Sequence, residues 1–192
     1  MRTKGVWIGF FILCSLVVYP QADSLKKSRY FNTFFSGALI GCGDCNSGKD
    51  FTLSFVTMHG IKFPTGIKLS AGAGLDVYSD WRLIPILIGF TIDKEQKPNG
   101  LFLHFNSGYS FGRYLNLNPY EQGELMQEGG FTINPMIGYR IGAEKIRLYV
   151  QIGYKYQHAY YRLDYANFGY PYSYSRESNL NRFVVQMGFG IN

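Results

Sequence analysis

Three histidines, one serine close to one of them and a C-x-x-C pair are the residues whose types and spacing could do chemistry. His59, His104 and His158 each carry an imidazole able to act as a base. Ser107 follows His104 by three positions, the start of a Ser–His pair if both side chains left the backbone on one side. On an extended strand they do not, because successive side chains alternate between faces and an i, i+3 pair is split. His59 and His158 fall on the parity that carries large apolar residues, where a polar ring at a membrane interface accounts for them. The expectation is no catalytic residue, no cofactor and no metal.

Cys14 lies in the N-terminal apolar run, which leaves Cys42 and Cys45. In an exported protein their simplest fate is a local disulfide. A redox centre would need βαβ surroundings, and a zinc site two further ligands nearby. Leu39-Ile40-Gly41-Cys42, with Lys26, Lys27 and Arg29 upstream, imitates a lipidation signal. Asn32, Thr33 and Ser36 interrupt its apolar core, and a better signal precedes it.

The elements that must position these residues are strands. Residues 67–78 alternate most regularly, with Ile67, Leu69, Ala71, Ala73, Leu75 and Val77 against Lys68, Ser70, Gly72, Gly74, Asp76 and Tyr78. At the end of the chain Phe183, Val185, Met187, Phe189 and Ile191 oppose Val184, Gln186, Gly188 and Gly190. The same patterning predicts eight strands: 30–41, 51–63, 67–78, 82–93, 101–113, 131–141, 146–160 and 181–192. Pro85 is expected to cost the fourth a ladder hydrogen bond. Residues 41–50 form a loop, Pro64-Thr65-Gly66 a tight turn, and 114–130 and 161–180 long loops.

Before the strands, Arg2 and Lys4, then Val6 to Tyr19, then Pro20-Gln21-Ala22 make a basic, apolar and cleavage-region sequence typical of a secretory signal. The expected organisation is a signal peptide over 1–22, a short periplasmic lead over 23–29 and a barrel over 30–192. Loss of the signal takes the formal charge from +6 to +4, and no Lys/Arg cluster interleaves with aromatics, so nucleic acid is not an expected partner. Aromatics make up 18% of the chain, yet beyond residue 20 no apolar run is long enough for a spanning helix. Any membrane span has to be made of strands.

The alternating strands, Thr57-Met58-His59-Gly60 ahead of a turn, Ala71-Gly72-Ala73-Gly74, the Asp80-Trp81 bend and the terminal Phe189-Gly190-Ile191-Asn192 carry a resemblance over about Tyr30 to Asn192. The chain resembles the small eight-stranded outer-membrane β-barrels of Gram-negative bacteria, the OmpX-like and OmpA-transmembrane-like group. Many of these end in an aromatic residue, whereas this chain ends in Asn192. The resemblance implies an all-β, eight-stranded, antiparallel up-and-down transmembrane barrel in the outer membrane, with both termini in the periplasm.

Eight strands enclose a space that side chains can fill. The inward parity carries Lys62, Lys68, Asp76, His104, Asn106, Arg140, Arg147, Lys155 and Gln186. Buried charges persist only when paired, so Asp93 is expected to neutralise part of a basic cluster of Lys62, Lys68, Arg140 and Arg147, and Asp76 to face Lys155. Tyr156, Tyr160 and Tyr161 suit an interfacial girdle. Tyr170, Tyr172 and Tyr174 lie mid-loop and are the candidates for surface recognition.

The resulting expectation is a filled barrel with a structural or surface-binding role. It contacts outer-membrane lipid, and through its long loops another envelope protein or an extracellular ligand. The competing readings are a lipid-modifying barrel enzyme, a narrow channel and a soluble lipocalin-like barrel that turns its apolar parity inward.

Overall fold

A computed structural model describes residues 29–41, 50–93, 98–115, 123–142, 146–167 and 170–191. The expected signal peptide, the periplasmic lead up to residue 28 and Cys42 and Cys45 lie outside the described residues.

The strands are β1 (Tyr30–Gly41), β2 (Asp50–Lys62), β3 (Ile67–Val77), β4 (Trp81–Asp93), β5 (Gly100–Tyr114), β6 (Gly123–Glu128), β7 (Phe131–Ile141), β8 (Ile146–Asn167) and β9 (Tyr170–Ile191). All neighbours are antiparallel, in the order β1-β2-β3-β4-β5-β7-β8-β9. β9 returns to β1 through Asn32↔Ile191 to Ile40↔Phe183, which closes a ring of eight. In such a ring each strand has a hydrogen-bonded neighbour on both sides and no open edge is left, the condition for strands to cross a bilayer. A path of ladder partners from Lys62 through Lys68, Thr91, His104, Met136, Gly153, Val184 and Leu39 arrives at Thr52. That is ten residues from Lys62 along the same strand. The strands therefore tilt about the barrel axis, and side chains from distant strands are brought to one level.

The apolar parity faces outward. On β4 Ile84, Ile86, Ile88, Phe90 and Ile92 are exposed, Ile88 to 69%, while Leu83, Leu87, Thr91 and Asp93 are buried. On β9 Phe183, Met187, Phe189 and Ile191 are exposed and Val184 and Gln186 buried. A soluble barrel has the reverse polarity, so the lipocalin-like alternative is excluded. Water does not tolerate a continuous apolar belt of this size, and hydrocarbon does. At the end away from the chain termini, Tyr109, Phe111, Phe131 and Tyr154 are exposed on the outer face, where an aromatic girdle belongs.

Pro85 leaves the expected defect. The β3–β4 ladder runs to Ala73↔Ile86 and resumes at Asp76↔Leu83, whereas the β4–β5 ladder continues through Pro85↔Ser110. Pro135 does the same to β7–β8 between Ile133↔Tyr156 and Met136↔Gly153. The tight turns at the terminus end use Gly66 and Gly142 at φ 85° and 115°, a left-handed conformation that favours glycine.

Two expected loops are strands instead. The stretch 114–130 contains β6, which pairs with β8 from Gly123↔Tyr165 to Glu128↔Tyr160. The stretch 161–180 is a hairpin, because β8 and β9 stay paired up to Asn167↔Tyr170. Beyond Gln157, which pairs with Thr132 of β7, β8 runs ten more residues, roughly 30 Å of extended chain. β6, β8 and β9 thus form a three-stranded sheet standing past the loop end of the barrel. Its alternation is carried mostly by tyrosines, Tyr161, Leu163 and Tyr165 on β8 and Tyr170, Tyr172 and Tyr174 on β9, in place of the Ile, Leu and Phe of the spanning strands.

Candidate functional site

The lumen is filled in layers. Near the terminus end the Lys68 ammonium donates to Asp93 at 2.8 Å. Arg140 forks onto the same carboxylate, Nε and Nη2 each 3.0 Å from an oxygen, and its Nη1 donates to the Pro98 carbonyl at 2.6 Å. Arg140 and Asp93 are fully buried, Arg147 is buried and Lys62 is partly exposed. The Lys68 ammonium also lies 5.6 Å from the centre of the Phe31 ring, within cation–π range.

Above this layer Phe35, Phe102 and Tyr149 meet edge to face with Met58, Val56 and Leu87 around them. His104 is buried here, its Nδ1 2.7 Å from the Thr91 hydroxyl. Ser107 sits on the opposite parity, so no Ser–His pair forms. Gln151 donates to Gln186 at 2.8 Å in the next stretch of lumen. Asn106, the ladder partner of Asn134, is buried as well.

Nearer the loop end, Lys155 donates to Asp76 across the barrel, with the ammonium 2% and the carboxylate 0% exposed. Arg182, buried on β9, stacks over the Tyr78 ring at 5.5 Å. Arg182 escapes a sequence reading because it stands near the boundary of the expected last loop, although its parity matches Val184 and Gln186.

An aromatic plug closes the loop end. Trp81 meets Tyr114 edge-on at 5.3 Å and Tyr161 at 6.2 Å, while Tyr114 and Tyr161 stack at 4.3 Å. Leu39, Leu83, Ala159, Leu180 and Val184 complete this buried cluster. Tyr161 therefore does not belong to the girdle. It lies on the inward parity of β8, while Tyr156 and Tyr160 keep the outward one. Gln127 of β6 accepts from the Tyr114 backbone N–H at 2.5 Å, which ties the protruding sheet to the plug.

On the hairpin, Tyr174 is half exposed and touches Tyr161 at 5.9 Å. Tyr170 and Tyr172 stand on β9 close to its tip, and their side chains lie outside the described residues. The hairpin's other face carries Arg162, which donates to Asp164 at 2.9 Å and to the Ser173 hydroxyl at 3.1 Å. A hydrogen bond from Ser173, then the Arg162 guanidinium, hold the Asp164 carboxyl below the usual carboxylate range.

On the outer wall, Tyr154 and Tyr156 donate to Asn181 and Asn179 at 2.5 and 2.8 Å near the loop end. Close to the terminus end, the Tyr30 hydroxyl lies 2.6 Å and the Asn32 amide nitrogen 2.9 Å from Nδ1 of His59. His158 packs against Gly130, where a β-carbon would fall 2.6 Å from its Nδ1. The three histidines are thus apart, two outside the wall and one inside it.

No family model matches the chain, and no curated protein does. Among solved structures it is similar to neisserial surface protein A, with a TM-score of 0.58 at 12% identity over 85% of this chain and 97% of that one. It is equally similar to the outer membrane protein OprG from Pseudomonas aeruginosa, with a TM-score of 0.58 at 10% identity over 86% and 96%. Identities this low speak for the fold, and with the outward apolar belt they make the chain a transmembrane β-barrel built as the small eight-stranded outer-membrane barrels are.

Proposed function

We propose that the protein is a structural, surface-binding barrel of the outer membrane: it stands in the bilayer as a closed cylinder and offers its tall hairpin to a ligand or another envelope protein. Its termini lie on the periplasmic side and its lumen carries neither a solute path nor a catalytic centre. The observation that carries this reading is the sequence of obstacles along the lumen. The Lys68–Asp93–Arg140 cluster, the Phe35–Tyr149–Phe102 layer, the Asp76–Lys155 pair and the Trp81–Tyr114–Tyr161 plug follow one another along the lumen from the terminus end to the loop end. An interior of charges bonded to each other stiffens the wall, and a stiff wall holds a long hairpin in one orientation at the surface.

Planar-bilayer recording tests it. The full-length protein is expected to insert without stable ohmic single-channel steps. Regular steps of one conductance would replace this reading with that of a channel.

A further inference from the structure

We propose that Arg82 and Arg113 form a site on the outer wall for one phosphate of a lipid A-type glycolipid, in the leaflet at the loop end of the barrel. The inference rests on the reading that the barrel spans the outer membrane with its termini in the periplasm, which puts the loop end in the outer, glycolipid leaflet. On the outward parity of β3, β4 and β5, from Ile67 to Val77, Arg82 to Ile92 and Leu101 to Arg113, every residue is uncharged except these two arginines. They are ladder partners, Arg82↔Arg113, so their β-carbons stand about 5 Å apart on one face of the wall. One outward step nearer the membrane centre stand Ile84 and Phe111, also ladder partners, exposed to 50% and 61%. Phe111 meets Tyr109 of the aromatic girdle edge to face at 5.7 Å. The two arginines thus lie one step above the girdle, where hydrocarbon gives way to headgroups.

Charge selects the ligand. Two like charges directly opposite each other on a ladder repel, and an anion held by both turns that repulsion into attraction. Arg113 is exposed and Arg82 partly so. Arg82 is aimed by the bend before β4, since its Nη1 donates to the Tyr78 carbonyl at 2.7 Å and to the Trp81 carbonyl at 3.4 Å. Those carbonyls carry no net charge, so they orient the guanidinium without neutralising it. Asp80 in that bend and Glu128 at the foot of β6 carry carboxylates, yet among the described residues neither forms an ion pair with Arg82 or Arg113. A phosphate monoester suits the pair, because it brings up to two negative charges and enough acceptor oxygens for two forked guanidinium contacts. The exposed Ile84 and Phe111 supply the other half of the match, an apolar wall for an acyl chain joined to the same headgroup. A free phosphate would use the arginines and leave that wall unused.

The test uses the full-length protein in detergent micelles, titrated with diphosphoryl lipid A and read by native mass spectrometry. One retained lipid per barrel is expected for the wild type. R82Q and R113Q each keep a polar side chain and remove one charge, and each is expected to lower retention about tenfold, the loss of one charge-assisted contact. R113K keeps the charge without the fork and is expected to fall between the wild type and R113Q. R29Q removes one exposed charge at the opposite end and is expected to retain lipid A like the wild type. Lipid A stripped of its phosphates is expected not to be retained, phosphatidylglycerol, with a single negative charge, to be retained less, and inorganic phosphate not to displace the bound lipid. Heat-modifiable migration checks that each variant is folded. Undiminished retention by both R82Q and R113Q, an equal loss in R29Q, retention of the dephosphorylated lipid, equal retention of phosphatidylglycerol or displacement by free phosphate would each overturn the site. A wild type that inserts into liposomes but retains no lipid A would overturn the site alone, whereas failure to insert would overturn the membrane-spanning reading along with it.

Discussion

Asp76 on β3 and Lys155 on β8 bond to one another inside the barrel although they stand 79 positions apart on strands that share no ladder. Both are fully buried, so neither can fall back on water. Replacing Lys155 by Met leaves a buried carboxylate without its partner, and about 3–5 kcal/mol of stability is expected to disappear. The double variant Asp76→Leu/Lys155→Met removes both charges and is expected to recover most of that loss. Urea unfolding in liposomes measures both. A double variant as unstable as the single one would mean that the pair does more than cancel two charges.

Asp93 is the shared anion of the other cluster, so it is expected to matter more than either cation. Asp93→Ala removes the carboxylate that Lys68 and Arg140 share and is expected to destabilise more than Lys68→Met. Arg140→Lys keeps the charge but cannot fork onto both carboxylate oxygens, and is expected to restore only part of what Arg140→Ala loses. The same unfolding experiment ranks the four variants. A Lys68→Met loss equal to that of Asp93→Ala would put the centre of the cluster elsewhere.

The ring was legible in the sequence because lipid imposes a strict rule on it. Each strand that crosses hydrocarbon must show apolar residues on alternate positions, as Ile84 to Ile92 and Phe183 to Ile191 do, and the turn residues between strands mark their ends. Parity also places Lys68, Asp93, Asp76 and Lys155 on the inside. The protruding sheet was not legible, since Tyr170-Pro171-Tyr172-Ser173-Tyr174-Ser175 alternates tyrosine with proline and serine, a pattern that reads as a Tyr-rich loop, and Pro171 reinforces that reading. Its strands are held by each other's backbone, as Asp164↔Ser173 and Leu163↔Tyr174 illustrate, with Leu163 the buried residue on one face. Tyr161 was misplaced for the same reason. The strand continues past residue 160, so Tyr161 keeps the inward parity of Lys155, Gln157 and Ala159 and packs on Tyr114.

The plug divides the tyrosines by role. Tyr161 is buried against Trp81 and Tyr114, and Tyr161→Ala is expected to cost about 3–5 kcal/mol, as large-to-small changes in a core do. Tyr174 is half exposed and touches only the edge of that cluster, so Tyr174→Ala is expected to cost no more than about 1.5 kcal/mol. Replacing Tyr170, Tyr172 and Tyr174 together is expected to leave barrel stability nearly unchanged. A large drop in the temperature of the gel-mobility transition for the triple variant would assign these residues to packing and not to recognition.

The hairpin is expected to loosen at acid pH before the barrel does. The Asp164 carboxyl is held below its ordinary range by Ser173 and Arg162, so its folded pKa lies below the unfolded one. The stabilisation it provides is therefore present above the unfolded pKa and is lost as pH falls through the folded value. Amide exchange around 162–164 and 173–175, corrected for intrinsic rates, is expected to speed up on acidification below the carboxylate range. Ser173→Ala removes the largest cause of the shift and is expected to flatten that dependence. An unchanged profile in Ser173→Ala would separate hairpin stability from this triad.

Shortening the hairpin separates the ring from what it displays. Excising 162–175 and joining Tyr161 to Arg176 through a short turn retains the β8–β9 ladder from Ile146↔Ile191 up to Tyr161↔Arg176. It also retains the closing contact of β9 with β1 and the Tyr161 side of the plug. β6 loses most of its partner strand and is expected to lose its order, with the Gln127–Tyr114 contact reporting how far this spreads. The ring owes its closure to pairs that all lie on the barrel side of the cut, so the shortened protein is expected to insert into liposomes and keep heat-modifiable migration. Attachment of cells to whatever surface or soluble ligand the full-length protein binds is expected to fall to background. A shortened protein that inserts and still binds would move recognition away from the hairpin and onto the remaining loops, while one that fails to insert would show that the hairpin is needed to build the ring.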